Sequence, residues 1–457
     1  MCRWPFLLMM LLAIMAEGNS TGAADAAGGD RPNIVLIMAD DMGFECVGAN
    51  GGETYKTPHL DQLAATGARF EHGYSQPICT PSRVQIMTGL YNSRNYIQFG
   101  LLDPKAFTFG NLLQDAGYAT CVVGKWQLRG GFDGPHRFGF DEYCLWQLTR
   151  RPNRYPNPGL EINGEEIDFK NGEYGPDLVS DYACDFIERH SGGEKPFFLY
   201  YPMILPHWPF EPTPDSDDWD PTFRRADESE KNYGMRDQKH FIDMVQYTDK
   251  LVGKIVAKLD EQGVRDKTLV IFTCDNGTYE SVTSRFRGRM WIGGKGHMMD
   301  NGTHVPLIAN WPGTIREGHV SADLVDFSDV LPTVAEVAGV EIPATLKLDG
   351  RSFAPVFQGE PGARDWVYCW YYRNGKPERG GQDKTAGESA RDHRYKLYLE
   401  GGFYDVPADF YEKSPLDPAK LNAEQHAVWN QLRAVIEQHT RQGFSDATEP
   451  KSGGPTP

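Results

Sequence analysis

The sequence has no excess of positive charge: 46 Lys and Arg stand against 63 Asp and Glu, a formal net charge of −17. No global field draws such a chain to nucleic acid or to an anionic membrane, and any anionic substrate has to be held by a local cationic cluster. No later apolar run approaches the roughly 20 residues that span a bilayer as a helix, so no stable membrane anchor is expected. C-x-x-C pairs are absent. The eight cysteines (Cys2, Cys46, Cys79, Cys121, Cys144, Cys184, Cys274, Cys369) are widely spread, which argues against a zinc ribbon or a dense disulfide framework. Cys121 and Cys274 fall inside apolar runs and read as small core residues. Repeat periods and single-residue tracts are also missing.

What is present begins with a segment that reads as a secretory signal. Arg3 precedes an apolar run over 6–16, and small residues follow to 27. The run is too short to span a bilayer, which favours a cleaved signal over an uncleaved anchor. Cys2 lies ahead of the run, where a lipoprotein cysteine would not be. The mature protein is therefore expected to be secreted or periplasmic. The 457 residues allow one large α/β domain and a smaller one.

Residues 33–39, 118–123, 197–201 and 269–273 are short apolar runs that read as buried parallel strands. Residues 241–262 have helical periodicity, and Thr57-Pro58 reads as an N-cap followed by a first-turn proline. Strands alternating with helices predict an α/β fold: a large, mostly parallel sheet sandwiched by helices. After Gly350 the pattern changes. Residues 366–372 and 395–400 read as antiparallel strands and 424–438 as a closing helix, a smaller C-terminal α+β subdomain. The expected division is 1–27 signal and linker, 31–350 main α/β domain, 351–442 C-terminal subdomain and 443–457 disordered tail. Residues 141–174 and 212–237, rich in Pro, Asn, Gly or charge, read as loops that shape substrate choice.

In such sheets functional groups collect beyond the carboxyl ends of strands, and the polar groups of this chain fall there. Asp40-Asp41 follows one strand and Asp275-Asn276 another. Singly, each pair reads as a turn or a cap. Together they offer three carboxylates and an amide, an oxygen set for calcium or magnesium and not one for zinc.

Between them lies Cys79-Thr80-Pro81-Ser82-Arg83. This pentapeptide resembles the pattern by which sulfatases are recognised, and other segments resemble that family in the same order over about 31–415. The resemblance implies an alkaline-phosphatase-like fold. It implies that Cys79 is oxidised to formylglycine (3-oxoalanine) by a formylglycine-generating or anaerobic sulfatase-maturing enzyme, and that its hydrate is the nucleophile. It carries Asp40, Asp41, Asp275, Asn276 and the modified Cys79 over as ligands of one calcium ion. Arg83 would hold the aldehyde by a charge-assisted hydrogen bond. Lys125, in Gly124-Lys125-Trp126, and Lys295, in Gly293-Gly294-Lys295-Gly296, resemble the family's sulfate-gripping lysines. His207, in Pro206-His207-Trp208-Pro209, resembles the histidine that serves the leaving alcohol. The strand and turn over 305–313 strengthen the match.

The chain also departs from the family. Gln127 stands where a histidine is usual, and that histidine is the expected base for regenerating the aldehyde. An amide cannot accept the proton near neutral pH. Three readings follow: another base acts (His136, His297 and His304 are the unplaced candidates), water acts, or the protein is an inactive relative. A subfamily with shifted substrate geometry is the preferred account. His304 stands where arginine is common. Arg285, Arg287 and Arg289 read either as a solvated basic face or as a subsite for further anionic groups of a glycan. Gln127, His297, Arg285, Arg287 and Trp208 are accordingly candidate substrate contacts. Trp146, Tyr155, Trp208 and Trp219 are either sugar-stacking rings or loop anchors. Asn276-Gly277-Thr278 matches a glycosylation acceptor but is treated as chance, because a metal ligand cannot carry a glycan.

The reading is a sulfuric ester hydrolase that removes sulfate from a sulfated carbohydrate. Its rivals are a phosphomonoester or phosphonate monoester hydrolase of the same superfamily and a non-catalytic glycan-binding relative.

Overall fold

The computed structural model describes residues 31–222, 238–375 and 385–440. The signal segment, the tail from 443 and the 223–237 part of the second expected loop lie outside the described residues. In chain order the strands that build or border the main sheet are β1 (Asn33–Ala39), β2 (Ala68–Tyr74), β3 (Ala119–Lys125), β4 (Glu142–Trp146), β5 (Gly159–Ile162), β6 (Glu165–Asp168), β7 (Phe197–Pro202) and β8 (Thr268–Cys274). A separate hairpin, β9 (Thr283–Phe286) and β10 (Arg289–Ile292), precedes β11 (His304–Val305), β12 (Leu307–Asn310) and β13 (His319–Asp326).

The main sheet has 11 strands in the order β11-β2-β12-β8-β1-β7-β3-β4-β5-β6, with β13 alongside β2. Its centre, β8-β1-β7-β3-β4, is parallel throughout. β1, β3, β7 and β8 are buried at every residue. That is why they are continuous apolar runs and not alternating ones: helices cover both faces of a parallel sheet. The consequence for function is geometric. The carboxyl ends of β8, β1, β7 and β3 lie side by side, and the segments that follow them carry Asp275-Asn276, Asp40-Asp41, His207 and Gln127, with Lys125 the last residue of β3.

Two expectations are corrected. Residues 141–174 are not a plain loop, because β4, β5 and β6 extend the main sheet. Its Pro and Asn richness is concentrated between β4 and β5. The β5–β6 hairpin turns on Asn163-Gly164, with φ of 46° and 96°, the Asn-Gly signature of a two-residue turn. Helix Pro58–Ala65 does begin at Pro58, but Thr57 makes no side-chain cap. Its hydroxyl accepts from the Gly48 amide at 2.8 Å and donates to Asp61 at 3.1 Å.

The C-terminal sheet consists of β14 (Val367–Tyr371), β15 (Gly387–Arg391), β16 (Tyr395–Tyr398) and β17 (Phe403–Asp405), antiparallel throughout. Helix Ala423–His439, started by an Asn422–Gln425 capping box, packs on β15 and β16. This sheet steadies the segment that carries Lys295. Arg391 Nη1 donates to Asp300 Oδ1 at 2.6 Å, and Lys396 Nζ to the Met298 carbonyl, all four residues being buried.

Candidate active site

Cys79 opens helix Cys79–Thr88, whose ten residues are all buried. Pro81 fits there because first-turn amides have no partner within the helix. Ser82 Oγ fixes the entry, donating to the Ile78 carbonyl and accepting from the Gln76 amide, both at 3.1 Å. Gly89, at φ 68°, ends the helix in the left-handed conformation.

The Cys79 thiol sits among charges. Its Sγ lies 3.4 Å from Asp40 Oδ1 and 3.4 Å from Lys125 Nζ. Lys125 Nζ also donates to Asp40 Oδ2 at 2.7 Å. Lys295 Nζ donates to Asp41 Oδ2 at 2.6 Å and lies 3.0 Å from His207 Nε2. Arg83 is buried beside this cluster, with residue 79 a thiol and not the aldehyde. Its guanidinium donates to Asp275 Oδ2 at 3.0 Å and to the Lys125 carbonyl at 2.8 Å, not to Cys79, since a carboxylate is a far better acceptor than a thiol.

Burial pushes the Cys79 thiol up, with Asp275 adding to the effect; as a thiol it is inert. Burial opposes ionisation of Asp40, but Lys125, His207, Arg83 and Lys295 outweigh it and hold its carboxyl well below the usual range. Burial, with Asp40 nearby, pushes Asp275 up to about 7. Burial first, and then Lys295, hold His207 well below the ordinary imidazole range.

The residues fit a hard divalent cation. Asp40, Asp41, Asp275 and Asn276 are fully buried. Asn276 Nδ2 donates to Asp41 Oδ1 at 2.8 Å, which turns Asn276 Oδ1 the other way, buried and without a hydrogen-bond partner. Asp275 Oδ1 accepts from the Asp41 amide at 3.2 Å. Asp41 itself is left-handed, at φ 70°, a backbone state uncommon for non-glycine residues and frequent at functional sites. Like charges held this close in low dielectric favour a cation among their oxygens. Asp40, Asp41, Cys79 and His207 each bring one ligand atom within 4.8 Å of the others, a group that takes in His207 and leaves out Asp275.

Gln127 is at the site, left-handed at φ 61°. Its Oε1 accepts from Thr80 Oγ1 at 3.3 Å. The candidate replacement bases are dispersed. His304 is buried, stacked on Phe44 at 4.0 Å, with Nε2 2.8 Å from the Glu71 carbonyl. His136 Nδ1 lies 2.8 Å from the Phe140 carbonyl and its ring packs on Tyr143. His297 follows Lys295 in a turn closed by its own amide on Gly294 at 2.9 Å. Arg285 and Arg287 are turned to Glu53 and Glu71, and Arg289 lies over Phe410; none is brought to Cys79. Trp146 and Tyr155 are fully buried and act as anchors, not as exposed sugar platforms. Trp208 is partly buried against the main core. Trp219 packs edge-on against Tyr174 at 5.3 Å. Asn276, with no exposed surface, is not available to a glycan.

Sequence reasoning missed Arg154. It lies between β4 and β5, is 2% exposed, stacks on Trp146 at 4.1 Å and places Nη1 3.0 Å from His207 Nδ1. No periodicity marks an arginine in a Pro-Asn-rich stretch, and only the folded connection brings it to the site.

The sulfatase family profile matches residues 32–340, and that of the N-sulphoglucosamine sulphohydrolase C-terminal region matches 290–441. N-acetylgalactosamine-6-sulfatase of Canis lupus familiaris is 32% identical over 77% of this chain and 70% of that protein. Steryl-sulfatase of Mus musculus is 29% identical over 81% and 72%. The solved structure of Ps i-CgsB is 27% identical, with TM-score 0.74 over 90% of this chain and 93% of the other. A phosphonate monoester hydrolase of Agrobacterium radiobacter shares the fold at 20% identity, with TM-score 0.65 over 90% and 96%. Profile, relatives and fold agree with the strand-end arrangement around Cys79: the chain belongs to the sulfatase family, enzymes that hydrolyse sulfate esters.

Proposed function

We propose that the protein removes sulfate from a sulfated carbohydrate, with formylglycine made from Cys79 and calcium held by Asp40, Asp41, Asp275 and Asn276. The observation that carries this reading is the convergence on Cys79 of buried carboxylates with Lys125, Lys295 and His207. When present, the aldehyde hydrate supplies the nucleophile, and the metal favours its ionised form and neutralises sulfate oxygens.

The chain's own groups do the rest. Lys125 and Lys295 grip the sulfate oxygens, exchanging carboxylate partners for substrate oxygens. His207 faces the leaving oxygen through Nε2. Helix Cys79–Thr88 directs its amino-terminal dipole at the anion. Burial excludes water and strengthens each of these contacts. Gln127 holds Thr80 and takes no proton.

A carbohydrate is favoured because a relative's name specifies N-acetylgalactosamine-6-sulfate chemistry. In addition, Ps i-CgsB was solved with k-i-k-neocarrahexaose, at 26% identity and TM-score 0.73 over 91% of this chain and 95% of the other. The signal-like pattern of Arg3 and the apolar run over 6–16 favours export, so the substrate would be met outside the cytoplasm.

The test is release of inorganic sulfate from a panel of sulfated oligosaccharides by the matured, calcium-loaded protein, with Cys79→Ala as control and matched phosphate esters alongside. Release from a sulfated sugar that Cys79→Ala abolishes is expected. Turnover of phosphate or phosphonate esters with none of sulfates would refute the reading.

A further inference from the structure

Arg154 lies against His207, and the reading above gives it no role. Its guanidinium is buried, and no carboxylate pairs with it among the described residues. It rests on the face of Trp146 at 4.1 Å, a favourable seat for a cation, but its Nε has no hydrogen-bond partner. Its backbone is pinned, since a Cβ on Gly175 would meet the Arg154 carbonyl at 2.0 Å. The next residue, Tyr155, donates through its hydroxyl to the His207 carbonyl. Two consecutive residues of one connection thus reach the backbone and the side chain of His207.

The hydrogen bonds around His207 cannot all form at once. Nδ1 faces Arg154 Nη1, which only donates, at 3.0 Å, and also the Trp208 carbonyl, which only accepts. Nε2 faces Lys295 Nζ, another donor, at 3.0 Å, and Asp41 Oδ2, an acceptor, lies farther off at 3.7 Å. With Lys295 on Nε2, the ring proton sits on Nδ1 and goes to Trp208, and the Arg154 donor is unmet. If an anion draws Lys295 away, the proton can sit on Nε2, and Nδ1 then accepts from Arg154. This second pattern gives the buried guanidinium an acceptor at Nη1, where the first gives it none, at the cost of the Nδ1 hydrogen bond to the Trp208 carbonyl, the less costly omission.

We propose that Arg154 is a positioning residue that holds sulfate-engaged His207 in the tautomer with Nδ1 accepting and the Nε2 proton aimed at the ester oxygen. The inference rests on the reading above that Lys295 leaves His207 for the sulfate. Arg154 acts through His207 and touches no reacting atom.

The test uses matured, calcium-loaded protein labelled with 15N-histidine, with inorganic sulfate as the probe and His207→Gln to assign the signals. Long-range proton–nitrogen correlation reads which ring nitrogen carries the proton. In wild type the proton is expected on Nδ1 without sulfate and on Nε2 with saturating sulfate. Arg154→Met keeps an apolar stem over Trp146, and His207 is expected to stay protonated on Nδ1 with sulfate bound. Arg154→Lys, which restores a donor, is expected to recover the switch in part. In turnover, Arg154→Met should lower kcat on phenyl sulfate by about tenfold more than on 4-nitrophenyl sulfate, with KM little changed. It should add no further loss in a His207→Ala background. Sulfate binding with the Nε2 tautomer intact in Arg154→Met overturns the inference alone. Wild type that fails to bind sulfate overturns both the inference and the reading of the pocket on which it stands.

Discussion

Replacing Lys295 by Met should weaken the metal-free protein and strengthen its hold on calcium. The Lys295 ammonium lies 2.6 Å from Asp41 Oδ2, with the side chains 12% and 0% exposed. Breaking a buried pair by removing one partner leaves an uncompensated charge and costs about 3–5 kcal/mol. The residual exposure of Lys295 puts this case at the lower end, about 3 kcal/mol. A divalent ion among Asp40, Asp41, Asp275 and Asn276 neutralises the same carboxylate, so the deficit is recovered when calcium binds. By linkage, a 3 kcal/mol gain corresponds to roughly 100-fold tighter calcium binding in Lys295→Met. Denaturant unfolding in chelator and in calcium, together with calorimetric titration, measures both quantities. Equal stability of the two proteins in chelator, or calcium affinity unchanged in the variant, would refute the account of this cluster as a cation site.

Other expectations follow from the same contacts. Burial above all holds His304 down to about 4 from an ordinary 6.5. The unfolded chain therefore binds the extra proton between those values, and folding stability falls as pH drops from about 6.5 to about 4. His304→Phe should flatten that part of a stability–pH profile by up to about 3 kcal/mol. Gln127→His should not raise turnover on the physiological substrate more than a few-fold, because Gln127 is already engaged with Thr80; a strong gain in steady-state rate would show that the site lacks a base. Arg391→Met removes the clamp on Asp300 and should cost about 3–5 kcal/mol in denaturant unfolding, with a fall in kcat because the segment bearing Lys295 loosens.

Much of the sheet was legible because burial on both faces leaves a plain mark. β1, β3, β7 and β8 lie within one or two residues of the apolar runs that predict them, and the polar residues just beyond those runs are the ones the fold gathers around Cys79. The pentapeptide at Cys79 was legible for a different reason: its residue pattern resembles that of the sulfatase family, and other segments resemble the family in the same order. The 141–174 region was misread because Pro and Asn content outweighed a five-residue run at β4 and an Asn-Gly turn at β5–β6, both visible signals. Arg154 left no such signal, since its role depends on where a connection folds back onto His207. The destination of Arg83 turned on which acceptor lies within reach, and the partners of Arg285 and Arg287 on acids more than 200 positions away in the chain. Spacing along the chain does not encode such choices.

The central claim is that Cys79 becomes the nucleophile. The measurement that tests it most directly is the mass of the peptide containing Cys79, from protein made together with a maturation enzyme. The account predicts the aldehyde or its hydrate at Cys79. An unmodified thiol there, while a known sulfatase is converted in the same host, would contradict it.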